Sequence, residues 1–243
     1  MAGLSSSSPA VTSIAPSRKA DERRRSRTTS GTIRLAALLA VAGGFLDAFT
    51  YIAHGGVFAN AQTGNVVLIG VFAAGGDWLG AVRHVLPILA FFVGVGVAEA
   101  VEDPRVAQRL PRPQRSVLVL EIAVLAVVGA LPGSFSNTVV ILAVAFVAAL
   151  QSTIFSKLGD WSVNTTMTTG NLRTAAASAY RAVLRRERDT HRQATVFGTV
   201  CLAFLLGAGL GALLTRLLHN QAAFGACLLL TGCLLLLELD EVR

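Results

Sequence analysis

The feature that most constrains this chain is a series of apolar runs, each about as long as a bilayer is thick, joined by arginine-rich connections. A transmembrane helix needs about 20 mostly apolar residues. Six segments qualify: Ile33–Ala53, Val85–Val101, Val117–Leu131, Val139–Ile154, Ala194–Leu214 and Ala222–Leu237. In lipid every backbone N–H and C=O must be satisfied internally, so runs of this kind predict helices. Charged residues make up only 14% of the chain, where soluble domains carry roughly 25%. The expectation is therefore an all-α polytopic membrane protein with the lipid bilayer as its main partner. Cys201, Cys227 and Cys233 all fall inside apolar runs. That pattern is neither a disulfide framework nor a metal motif, and no cofactor is expected.

The charges sort by position. A net charge of +7 would suit a nucleic-acid partner, but the basic residues lie between spans and have no interleaved aromatics, so nucleic acid is not expected. With the N-terminus in the cytoplasm and six crossings, 19 of the 21 Lys and Arg fall inside, leaving only Arg83 and Arg216 outside. A seventh crossing through residues 64–76 would move the four arginines of "EDPRVAQRLPRPQR" outside. Residues 1–32 place their basic cluster directly before the first span with no cleavage signature. They are expected to be a disordered cytoplasmic tail, with both termini on the cytoplasmic side of a bacterial inner membrane.

Thr-Gly-Asn occurs twice, at 63–65 and 169–171, a shift of 106 residues. The same shift lays the first three spans on the last three. Three crossings per half is an odd number, so the second half is inverted relative to the first, an arrangement many secondary transporters share. This divides the chain into membrane repeats at 33–133 and 139–239, each holding a short helix begun by the tripeptide. Thr63 and Thr169 suit N-caps, and Gly64 and Gly170 suit tight turns. The amides of Gly64, Asn65, Gly170 and Asn171 would then face a midplane ligand, and the two Asn side chains would pair across the axis. An alternative is that both tripeptides merely cap short interfacial helices.

Asp47, deep in the first span, is an expensive residue in lipid and a candidate coupling carboxylate. Gln151 is the polar residue at comparable depth in the fourth span, suited to ligand contact or to hydrogen bonding between helices. Glu121 is expected to reach a basic neighbour such as Arg115, and His54 and His84 to be solvated at span edges. Gly207 and Gly211 have the spacing of close helix packing, within one chain or in a homodimer. Nucleophile-elbow, phosphate-loop and zinc-protease motifs are absent, so an enzyme is not expected.

"GGFLDAFTYIAHGGVFANAQTGNVVLIG" (43–70) and "ALQSTIFSKLGDWSVNTTMTTGNL" (149–172) resemble the two signatures of the YoaK-like family of bacterial integral membrane proteins. The resemblance covers about residues 33–239. The family's second signature carries Asn after its Gln, whereas Ser152 follows Gln151 here. It implies about six membrane helices and no established substrate. The residues themselves favour a transporter or permease for an unidentified small molecule or ion, its site formed by Asp47, Thr63, Gly64, Asn65, Gln151, Thr169, Gly170 and Asn171. The alternative is a membrane scaffold or sensor that uses the basic 173–192 segment.

Overall fold

The computed structural model describes residues 18–107, 112–158, 161–185 and 188–241. Its helices are α1 (Arg18–Ala53), α2 (Gln62–Ala74), α3 (Trp78–Glu102), one-turn α4 (Pro104–Ala107), α5 (Pro113–Ala130), α6 (Asn137–Ile154), α7 (Thr168–Leu184), α8 (Arg188–Leu218) and α9 (Ala223–Glu241). A two-residue antiparallel pair, β1 (Lys157–Leu158) with β2 (Trp161–Ser162), is the only departure from helix and loop among the described residues. Among the described residues, five stretches are long and apolar enough to cross a membrane. The fifth, Thr190–Leu239, runs 50 residues and is broken at the 3-10 turn His219–Ala222, where His219 takes a φ of 51°. The fifth and sixth expected runs both fall within this one stretch, on α8 and α9.

Two boundaries differ from expectation for identifiable reasons. Helix α1 begins at Arg18, inside the segment expected to be disordered, because "RKADERRR" is composed largely of strong helix formers. Residues 1–17 of the expected tail lie outside the described residues. Helix α3 begins at Trp78, ahead of the apolar run, because the chain reverses tightly at Gly75–Asp77. Gly76 adopts φ 78° and donates to the Ala73 carbonyl at 3.0 Å, while the Asp77 amide reaches Phe72 at 2.9 Å. This is the Schellman pattern, which only Gly enters cheaply. The Asp77 side chain then accepts from the Gly80 amide at 2.8 Å and caps α3.

Helices α1 and α6 form the interior. The apolar stretch of α1 is 67% buried and that of α6 56%, against 22% for α3 and 33% for α5. Helix α1 packs on α8 and α9, and α6 on α3 and α5; α2 lies on α3, α7 on α8, and α5 meets α9. Phe45, Phe49, Leu39 and Leu46 of α1 are fully enclosed. The outer faces of α3 and α8 leave Phe92, Val93, Leu205 and Leu206 uncovered, as a lipid-facing surface does.

The α1–α8 crossing has no room for side chains. A Cβ on Gly207 would run into the backbone of Val41, one on Gly44 into the carbonyl of Phe204, and one on Gly211 would stand 2.6 Å from the Phe45 oxygen. The Gly207–Gly211 spacing is therefore used within the chain. Gly209, two residues away, has nothing within 4 Å. Gly207→Leu is expected to lower the melting temperature in detergent by several degrees, since overpacking costs about 1–3 kcal/mol or more. Gly209→Leu should leave it near wild type, and equal losses in the two variants would count against this crossing.

Candidate functional site

After α1 ends at Ala53, Gly55 and Gly56, with φ of 82° and 77°, turn the chain back along the helix. The returning loop reaches Gly43, where the Asn60 side-chain amide donates to the Gly43 carbonyl at 3.1 Å. Gly43 lies ten residues before the end of α1, about 15 Å at the helical rise. The second loop arrives at the same place. A Cβ on Gly43 would sit 3.2 Å from the Thr165 carbonyl and 3.5 Å from Thr166. Two non-helical segments, each leading into a Thr-Gly-Asn helix, therefore converge near the middle of the 21-residue span Ile33–Ala53.

Each loop is closed by the Asn of its tripeptide. Asn65 donates to the Phe58 carbonyl and to Gln62 Oε1, both at 2.8 Å, and its oxygen accepts from the Phe58 amide at 3.1 Å. Asn171 donates to the carbonyl of Asn164, again seven residues upstream, and to Met167 at 3.2 Å. The two Asn side chains thus do not pair with each other; each satisfies carbonyls of its own loop. The Asn164 side chain in turn accepts from the amides of Thr166 and Met167 at 3.0 Å.

Nor do the threonines cap their helices. Helix α2 starts at Gln62 with Ala61 at the N-cap position, and α7 starts at Thr168 with Met167 there; neither cap makes a side-chain hydrogen bond. The Asn closure starts each helix before its tripeptide, which places Thr63 and Thr169 inside the first turn. The amides of Gly64 and Asn65 bond to the Ala61 carbonyl at 2.8 and 3.4 Å, so they are not free for a ligand. Gly64 is helical, and its missing side chain admits the Phe58 ring, which a Cβ would meet at 2.8 Å.

Asp47 is 5% exposed and accepts from the Asn60 amide at 2.7 Å. Its first task is to anchor the re-entrant loop. Asp47 also borders a cavity of about 520 Å³ lined by Tyr51, Phe58, Thr63, Thr166, Thr169 and Gly170, and by Phe204, Ala208 and Ala212 of α8. Of the predicted site residues, the structure gathers Asp47, Thr63, Thr169 and Gly170 around this space. Gly64, Asn65 and Asn171 shape its walls from behind.

Gln151 lies elsewhere, with its amide 2.8 and 2.9 Å from the two carboxylate oxygens of Glu121, where the nitrogen donates. Arg115, the partner expected for Glu121, pairs with Glu238 at 2.6 Å. Both histidines are buried rather than solvated. His54 Nδ1 is 2.9 Å from Asn137 Oδ1, and burial pushes the imidazole pKa below its ordinary value against that hydrogen bond. His84 stacks on Phe72 and lies 3.4 Å from Asn65 Oδ1. Sequence reading missed Asn60, Asn164 and Thr166. A polar residue three to five positions ahead of each tripeptide was the available signal. No cluster of metal-ligating side chains occurs among the described residues.

Bilayer-length apolar helices with bare outer faces, and polar side chains turned inward onto unwound backbone, define a multi-pass α-helical membrane protein. The chain belongs to the family described as "Protein of unknown function (DUF1275)", which matches residues 35–237. It is 25% identical over 186 residues to the UPF0700 transmembrane protein YoaK of Bacillus subtilis (strain 168), covering 74% of this chain and 82% of that protein. No solved structure matches the chain significantly.

Losing the Asn65 side chain strands buried carbonyl and amide groups, each worth about 1–3 kcal/mol. Asn65→Ala and Asn171→Ala should therefore both lower the melting temperature clearly, while Thr63→Ala and Thr169→Ala change it little. A neutral Asn65→Ala, measured in the same detergent, would show that the loop closure is dispensable.

Proposed function

We propose that the protein is a secondary carrier for a small solute, which binds in the cavity between the two loops. The observation that carries this reading is the convergence, on one 520 Å³ space, of the first turn of α7, residues from the start of α2, and Asp47. A helix N-terminus offers N–H groups without helical partners and a positive dipole end. Half-helices that begin near the bilayer centre present such ends to anionic substrate groups in carriers. The first turn of α7 suits a carboxylate or other small anion, and Tyr51, Phe58, Met167 and Phe204 suit an apolar body. The chemistry asked of these groups is binding, not bond breaking.

A six-span inverted repeat goes with this reading, and the packing supports it. Exchanging the halves maps α1, α2, α3 and α5 onto α6, α7, α8 and α9. The α1–α8 contact then becomes α6–α3, α2–α3 becomes α7–α8, α1–α9 becomes α6–α5, and α5–α9 maps onto itself. The Asn closure recurs with the same seven-residue reach. The basic connections favour cytoplasmic termini in a bacterial inner membrane.

The test is the melting temperature of purified protein against a panel of small carboxylates, inorganic anions, amino acids and cations. A compound at 100 times its dissociation constant stabilises by about 2.7 kcal/mol. At least one compound should raise the melting temperature of the wild type and not that of Ala208→Phe, whose ring fills the cavity. A panel without a single shift, or a shift that Ala208→Phe retains, would sink the carrier reading at this site.

A further inference from the structure

We propose that Glu121 is a proton-binding site of the helix bundle, separate from the cavity, and that losing its proton loosens the junction of α5, α6 and α9. The use of this site for coupling rests on the carrier reading; the site itself does not. Glu121 is fully buried, and the partner that reaches it is the Gln151 amide of α6, itself 1% exposed. An amide suits both protonation states. It donates through nitrogen to a carboxylate and accepts through oxygen from a carboxylic acid. A buried ion needs an opposite charge or several donors, and no cation pairs with Glu121 among the described residues.

The other groups facing this position are few. Helix α9 presents the thiols of Cys227 and Cys233, and Cys227 lies 3.6 Å from the carbonyl of Ile122, the residue after Glu121. Helix α6 carries no titratable or charged residue and contributes the Gln151 amide. The nearest charged groups along α5 and α9 are Arg115 and Glu238, which pair with each other at 2.6 Å. Arg115 is six residues from Glu121, about 9 Å along the helix. An ionised Glu121 would therefore be an unbalanced charge where three helices meet. Water entry, by separation of α5 from α6 and α9, is the simplest way to stabilise it. The carboxyl gives its proton to that water and regains it on closing.

The experiment needs no transported substrate, so it can fail while the carrier reading stands, and the reverse also holds. Infrared spectra of wild type and Glu121→Gln are compared from about pH 6 to about pH 10. Glu121→Gln copies the neutral acid in shape and is expected to fold. The difference spectrum should contain a carboxylic-acid carbonyl band at neutral pH that converts to carboxylate as the pH rises. Over the same range, labelling of Cys233 by a membrane-permeant maleimide, relative to Cys201, should rise severalfold more in wild type than in Glu121→Gln. Gln151→Leu, which removes the amide donor, should move the conversion to higher pH. A carboxylate band at neutral pH, an acid band that never titrates, or identical Cys233 curves in the two proteins would each overturn the proposal.

Discussion

The structure depends on satisfying the backbone of two loops that leave helical geometry at membrane depth. Unpaired peptide groups cost several kcal/mol in hydrocarbon, so such segments persist only where protein or a wet cavity serves them. Here the donors and acceptors are supplied by a few side chains. Asp47 takes the Asn60 amide, Asn60 the Gly43 carbonyl, and Asn65 and Asn171 the carbonyls of their own loops. With the loops fixed in this way, α2 and α7 begin near the centre of the bundle, and a cavity forms between their starts.

Bringing two loops to the middle of α1 imposes a second condition, on the helix itself. Gly43 leaves space for Thr165, and on another side Gly44 lets α8 approach to backbone distance. Helix α1 thus carries consecutive glycines at its centre, despite the cost of Gly in a helix interior. The long packed faces against α8 and α9, built on Phe45, Phe49 and Leu39, offset that cost. Polar loop capture and close helix packing are therefore two consequences of the same short sequence, "GGFLD".

Much of this was legible in the sequence, for physical reasons that also explain what was not. Apolar length and low charge identified the membrane helices, because hydrocarbon permits few other solutions. The repeated tripeptide and the cost of Asp47 pointed to the region where the cavity lies. The roles within that region were less legible. Thr-Gly-Asn reads as a cap, a turn and a ligand, whereas each Asn acts backwards on a residue seven positions earlier, and of the two glycines Gly64 makes room for Phe58. A three-residue pattern does not show which distant carbonyl an amide will meet. Glu121 and Gln151 are 30 residues apart on neighbouring helices, and no local periodicity links them. Arg115, closer in sequence, was the natural wrong choice.

The two buried carboxylates divide along the same lines. Asp47 accepts from a backbone amide of the loop it holds, so removing its charge would slacken the structure that forms the cavity. Glu121 faces the neutral amide of Gln151 and the thiols of α9, and holds no loop. A group whose hydrogen bond secures the fold is poorly suited to exchanging protons, since every exchange would disturb that hydrogen bond. A group matched to an amide that serves either protonation state has no such conflict. The carboxylate nearer the cavity is thus the better anchor, and the remote one, where α5, α6 and α9 meet, is bonded to neither loop and is the better proton site.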